Sequence, residues 1–305
     1  MKKLLFIYNP KAGKATIRTV LAQIVEIFDN AHYEVTVRPT HQSGDVTRFL
    51  AESAENFDRV VVSGGDGTLN EALCGIRKAA ADGKHVPPLG FIPTGSTNDF
   101  AKTLTIPTVP LKAAEIAASG TVFPCDAGSF NEHPFTYVAA FGAFTKVSYA
   151  TPQQIKNSLG HFAYIIEGIK ELTNIKGIEM SVCTETETFS DRYIYGMVSN
   201  STSVGGFDGF YSDLKVALND GLLEVVLVKE PRSLAEQSAL LADLMRMNIH
   251  SRFITVLKAK KIHFEPLSDR IPEWTLDGEF GGAPNRVTVE AIPEAYTILI
   301  PPTEE

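Results

Sequence analysis

Ser63-Gly64-Gly65-Asp66-Gly67-Thr68-Leu69-Asn70-Glu71 closes a short apolar run, Arg59 to Ser63, and opens a segment in which Leu69, Ala72, Leu73 and Ile76 recur at helical spacing. Strand, glycine turn and helix follow one another without spare residues. Gly64, Gly65 and Gly67 leave the backbone free to take positive φ and let another group approach closely. The first N–H groups of the helix are unpaired donors that suit an anion. A tight strand-to-helix turn capped by Asp66 reads the same residues without a ligand.

Two more turns share this plan. Leu4 to Tyr8 ends in Asn9-Pro10-Lys11-Ala12-Gly13-Lys14, and Leu89 to Ile92 ends in Pro93-Thr94-Gly95-Ser96-Thr97-Asn98-Asp99. With Tyr33 to Val37 and Arg59 to Ser63, these runs read as strands; residues 15–29, 44–55, 68–81, 97–104 and 111–119 read as helices. That alternation specifies a doubly wound α/β domain with a parallel sheet, over about residues 1–126. In such a sheet all three turns lie at the carboxyl edge, where ligands bind, so a nucleotide's phosphates are the expected occupant. The first turn lacks the G-x-x-x-x-G-K-[ST] pattern, which excludes a P-loop. Ser96 and Asp99 also have capping-box spacing, and capping and ligand contact can coexist.

Beyond Asp126 the texture becomes β-rich: Phe135 to Phe141, Glu179 to Thr184, Tyr193 to Ser199, Leu222 to Val228, Phe253 to Phe264 and Arg286 to Ala291. These predict a mostly antiparallel, sandwich-like domain over 127–293. Two helices interrupt it, one opening at Thr151-Pro152 with Ile155, Leu159, Phe162, Ile166 and Ile169 on one face, the other over Ser233 to Asn248. Tyr296 to Ile300, within 294–305, is a closing strand available to pack on the first domain.

Bulk properties narrow the classes. At 305 residues, 44% hydrophobic and 21% charged, the chain is globular and long enough for two cores. A formal charge of -8 argues against nucleic-acid binding and makes any contact with an anionic membrane local. Cys74, Cys125 and Cys183 form neither a disulfide framework nor a zinc motif, which fits a reducing cytoplasm. No apolar run reaches the length of a membrane span.

Taken together, Asn9 to Gly13, Gly64 to Glu71 and Pro93 to Asp99 resemble the diacylglycerol kinase catalytic-domain family, which includes soluble bacterial diacylglycerol kinases, sphingosine kinases and ceramide kinases. Leu218-Asn219-Asp220-Gly221-Leu222-Leu223 and Leu276-Asp277-Gly278-Glu279 extend the resemblance over nearly the whole chain. It implies ATP bound between an α/β domain and a β-rich domain, in a fold shared with NAD kinases. The Gly-Gly-Asp-Gly-Thr loop occurs in both groups. The run from Thr94 to Ala101 and the Asp277-Gly278-Glu279 turn look like the lipid branch.

The resemblance also implies roles. Glu279 is the general base toward the lipid hydroxyl, with Asp277 beside it in the turn; a plain Asp-Gly hairpin is the alternative. Asp66 and Asp99 organise a catalytic Mg²⁺, and Lys14 pairs with one of them or with phosphate. Asn9, Pro10, Lys11, Ala12, Gly13, Thr40, Gly64 to Glu71, Gly95 and Ser96 match ATP contacts. A second, structural Mg²⁺ is implied at Asp220, with the carbonyls of Ala217 and Leu222. Diacylglycerol is the expected acceptor, met transiently at the inner face of the membrane, and family members often dimerise. An NAD kinase and a non-catalytic nucleotide- or lipid-binding regulator are the competing readings. For membrane contact, Gly205 and Gly206 beside Phe207 and Phe210 offer an acyl-chain entry, and Lys258, Lys260, Lys261 and Arg252 a basic stretch; ordinary packing and a solvated strand explain them equally.

Overall fold

The computed structural model describes residues 1–13, 15–142, 176–202, 216–246 and 248–302. The chain forms two compact units: Met1–Ala127 with Leu218–Asp220 and Ile292–Glu305, and Gly128–Ala217 with Gly221–Ala291.

In the first unit, strands Lys2–Tyr8 (β1), Tyr33–Pro39 (β2), Arg59–Gly64 (β3) and Leu89–Pro93 (β4) alternate with helices Ile17–Asn30 (α1), Asp45–Ser53 (α2), Asp66–Ala81 (α3), Asp99–Thr103 (α4) and Pro110–Ser119 (α5). The strands pair in parallel in the order β2-β1-β3-β4, with Phe6 between Val37 and Val61, and Val62 opposite Phe91. Leu4 to Ile7 and Val60 to Val62 are buried on both faces, which is why they read as unbroken apolar runs. Ile17, Ile24 and Phe28 give α1 its buried face; Leu69, Ala72, Leu73 and Ile76 give α3 its own. Each expected strand and helix here is present within a few residues, as end-fraying allows.

The second unit is antiparallel. Its strands are His133–Phe135, Val138–Gly142, Ile178–Cys183, Thr188–Ser199, Leu223–Lys229, Ile254–Ala259, Lys261–Pro266, Trp274–Leu276 and Glu279–Gly282, with helix Leu234–Met245. Thr121–Phe130, which precedes them, is labelled β5, so the nine run from β6 to β14 and the helix is α6. The final strand, Val287–Ile300 (β15), and β5 each contribute residues to both units. Within the second unit the order is β14-β13-β7-β9-β8-β12-β15, and β10 joins β9 to β11. Trp274 centres the core, its ring 4.8 Å from Phe141 and 5.1 Å from Phe130 and from Phe264. Burying aromatic surface of this size is the main stabilising term.

Three expectations change. Phe135 to Phe141 is two strands, because Thr136 and Tyr137 turn their N–H groups toward the Asp277 carboxylate. Phe253 to Phe264 breaks at Lys260, where its carbonyl takes the N–H of Ala291. Arg286 to Ala291 and Tyr296 to Ile300 are one strand, which bends at Glu294 with φ +46°. In the first unit its end runs parallel to β4, with Ile298 opposite Leu89. The helix expected after Thr151, and the segment Gly205 to Phe210, lie outside the described residues.

Candidate active site

The three glycine turns of the first unit meet. The N–H of Asn9 donates to Ser63 O at 2.8 Å, and the Asn9 side chain accepts from Lys11 N–H at 2.9 Å, curling the first turn. Gly64 O accepts from the N–H groups of Thr94 and Gly95 at 2.7 and 3.1 Å, and the hydroxyls of Ser63 and Thr94 lie 3.2 Å apart. Gly13, at φ +52°, is packed so that a Cβ would overlap Thr94 O. A Cβ on Gly65 would come 3.2 Å from Gly95 Cα, and one on Gly95 would overlap Gly65 Cα. Asn98, at φ +53°, exchanges two 2.9 Å hydrogen bonds with Gly95. Gly67, by contrast, is exposed, with nothing within 4 Å of where its Cβ would stand. The glycines thus serve two ends: three close the junction between loops, and one leaves the entrance to α3 open to a ligand.

Acidic side chains bind these loops together. Asp66, half-buried, accepts the N–H groups of Asp99 and Phe100 at 3.3 Å each, so it caps α4 rather than its own helix. The buried Asp99 carboxylate is 3.1 Å from Lys102 Nζ. Glu71, one and a half turns into α3, accepts from Gly44 N–H at 2.8 Å, Ser43 Oγ at 3.1 Å and Val46 N–H at 3.2 Å. Asp45 accepts from His41 and Gln42 N–H at 2.8 and 3.2 Å and pairs with Arg48 at 3.0 Å. The His41 bond, then the Arg48 guanidinium, hold its carboxyl down to about 2. Thr40 is fixed at the head of this segment by its N–H to Tyr8 O, 2.9 Å.

In the second unit, Asp277 and Gly278 (φ +49° and +87°) form the two-residue hairpin of β13 and β14, with Leu276 opposite Glu279. The Asp277 side chain is buried and accepts the N–H groups of Thr136, Tyr137 and Val138 at 2.6, 2.9 and 3.1 Å. Glu279 is exposed. Asp220 is exposed in the Leu218–Asp220 segment of the first unit, while Ala217 and Leu222 belong to the second. Lys14 lies outside the described residues.

The bracing roles of Glu71, Asp45 and Asp277 were not read from the sequence. Asp45 had a local signal, a carboxylate just after Ser43-Gly44; the others act over long separations. The basic stretch is largely occupied: Arg252 pairs with Glu236, Lys258 with the fully buried Glu224, and Lys261 with Glu290.

The glycine junction fits the phosphates of a nucleotide, because the open backbone at Gly67 stands where unpaired helix N–H groups begin. Asp66 and Asp99 fit Mg²⁺, which needs only one or two carboxylates beside phosphate oxygens. Among the described residues no cluster of three His, Cys, Asp or Glu is preformed for a metal.

A parallel α/β unit with glycine-turn junctions, followed by an antiparallel β unit, defines the class of two-unit kinases with this arrangement. Residues 3–130 match the diacylglycerol kinase catalytic domain and 138–300 the YegS C-terminal NAD kinase beta sandwich-like domain. The chain is 34% identical over 285 residues to a diacylglycerol kinase of Bacillus subtilis (strain 168), covering 92% of this chain and 91% of the relative. It is 33% identical to one of Staphylococcus saprophyticus, over 92% and 90%. A crystal structure of a diacylglycerol kinase from Bacillus anthracis str. Sterne superposes with TM-score 0.75 at 25% identity, over 99% of this chain and 97% of that one. The chain belongs to the diacylglycerol kinase catalytic-domain family, a lipid kinase family.

Proposed function

We propose that this protein transfers the γ-phosphate of ATP to the hydroxyl of diacylglycerol, giving phosphatidic acid and ADP. The observation that carries this reading is the close contact of Gly13, Gly65 and Gly95, three turns from three strands. Such contact suits a polyphosphate better than any single loop does.

Phosphoryl transfer asks mainly for alignment and charge neutralisation. Asn9 to Gly13, Thr40, Gly64 to Glu71, Gly95 and Ser96 hold the nucleotide through backbone donors and close approach. Asp66 and Asp99 hold Mg²⁺, which when bound neutralises phosphate charge. Lys14 pairs with phosphate or with one of these carboxylates. Glu279, exposed at the end of its hairpin, accepts the proton as the lipid oxygen attacks phosphorus. Asp220, with the carbonyls of Ala217 and Leu222, holds a structural Mg²⁺. The enzyme meets its lipid at a membrane surface from the cytoplasm. Among the described residues, no helix is long and apolar enough to cross a membrane.

Transfer of labelled γ-phosphate from ATP and Mg²⁺ to diacylglycerol in mixed micelles, sphingosine, ceramide and NAD tests this directly. Label in phosphatidic acid is the expected result. Label in another lipid would replace the acceptor, label in NAD alone would overturn the lipid assignment, and label in none would favour a regulator.

A further inference from the structure

We infer that Asp277 is a positioning residue that aims Glu279 by anchoring the hairpin turn to the Thr136–Val138 segment. The inference rests on the reading of Glu279 as the base. Between β6 and β7 the chain leaves three consecutive N–H groups pointing at one carboxylate, at 2.6, 2.9 and 3.1 Å. Successive backbone N–H groups of this kind make an anion-binding concavity. Here the anion is supplied by the protein. Asp277 also donates its own N–H to Val138 O at 2.9 Å, so main chain and side chain tie the turn to the same segment.

The turn alone does not require a carboxylate. Asn-Gly satisfies a two-residue hairpin as well as Asp-Gly does. An Asn, however, would bring one oxygen and a donor NH₂ against three donors, whereas a carboxylate accepts from all of them. Asp277 is 6% exposed, and a buried carboxylate is costly unless it is hydrogen-bonded in this way. The site therefore selects for the anchor.

Glu279 depends on that anchor because little else fixes its strand. β14 has four residues, pairs only with β13, and shifts register at Gly281, where Thr275 faces Phe280 but Trp274 faces Gly282. A short ribbon at a sheet edge is weakly held. Only Gly278 separates the anchor from the base, so freeing Asp277 lets Glu279 drift. A misplacement of ~1 Å costs up to ~100-fold in rate.

The experiment compares Asp277→Asn, Glu279→Gln and the unmodified protein by kcat, KM for ATP, the kcat–pH profile and amide exchange. For Asp277→Asn the expected result is a kcat lower by ~10- to 100-fold. KM for ATP stays unchanged, the acid limb of the profile moves, and exchange at Thr136 to Val138 quickens. Normal kcat and an unmoved profile in Asp277→Asn, with Glu279→Gln inactive, would overturn this inference alone. Full turnover in Glu279→Gln would overturn the base assignment and the inference with it. If Asp277→Asn does not fold, Gly278→Ala strains the same turn through its φ of +87° without a clash, since nothing lies within 4 Å of the added Cβ. It is expected to lower kcat severalfold at unchanged ATP affinity, and an unchanged kcat would overturn the proposal.

Discussion

Asp66 and Asp277 occupy matching positions in two unrelated architectures. Each stands in a glycine turn after a strand, and each carboxylate takes backbone N–H groups from a distant segment: Asp99 and Phe100 for Asp66, Thr136 to Val138 for Asp277. The difference lies in the grip. Asp66 is half-buried and both its bonds are 3.3 Å, which leaves room to share the carboxylate with a cation. Asp277 is buried and its shortest bond is 2.6 Å. The contrast teaches that an acidic residue in a motif is assigned to a ligand or to the chain by its burial and donor count.

The largest effect that would break this comparison is expected at Asp66. Asp66→Asn keeps an acceptor for α4 but removes the charge that serves the metal. Turnover should fall by ~10²- to 10³-fold, the usual scale for losing one electrostatic partner, with partial recovery at high Mg²⁺ and little change in melting. If instead activity falls only in step with stability and Mg²⁺ restores nothing, Asp66 is a brace of the same kind as Asp277.

A smaller effect is expected at Glu71, which sits in the glycine motif but grips the segment after Thr40. Glu71→Gln should raise KM for ATP by roughly tenfold while kcat stays near normal, because ground-state and transition-state binding weaken together. Exchange at Gly44 and Val46 should quicken. Unchanged ATP affinity with quickened exchange would show that the Thr40 segment does not serve the nucleotide.

The first unit was legible because its strands are buried on both faces and so read as unbroken apolar runs, each punctuated by a glycine turn. The second unit was less so. Its alternation continues through Thr136 and Tyr137, and what breaks the strand there is a carboxylate 140 or so residues away. The same distance problem hid Glu71, whose partners lie 25 to 28 residues off. Lys258 looked like surface charge because nothing local reveals that Glu224, its partner across β10 and β11, is fully buried. Motif spacing located the site residues in the chain; which of them brace and which react is a matter of tertiary donors that spacing does not encode.

Asp45 offers the finest test, because it braces the same segment as Glu71 by purely local bonds and its contribution is tied to ionisation. Its carboxyl is held down to about 2 from an ordinary 3.8, first by the His41 N–H and then by Arg48. A depressed folded value means that the stabilisation is fully present above the unfolded value and disappears as pH falls toward 2. Asp45→Asn should therefore lower the urea midpoint by a constant amount between pH 7 and 5, with the gap to the unmodified protein narrowing below about pH 4. A gap that persists undiminished at pH 3 would show that the bonds to His41 and Gln42 do not need the charge. If the gap closes but Asp45→Asn leaves KM for ATP untouched, Glu71 alone sets the Thr40 segment, and the longer-range carboxylate is again the one that serves the site.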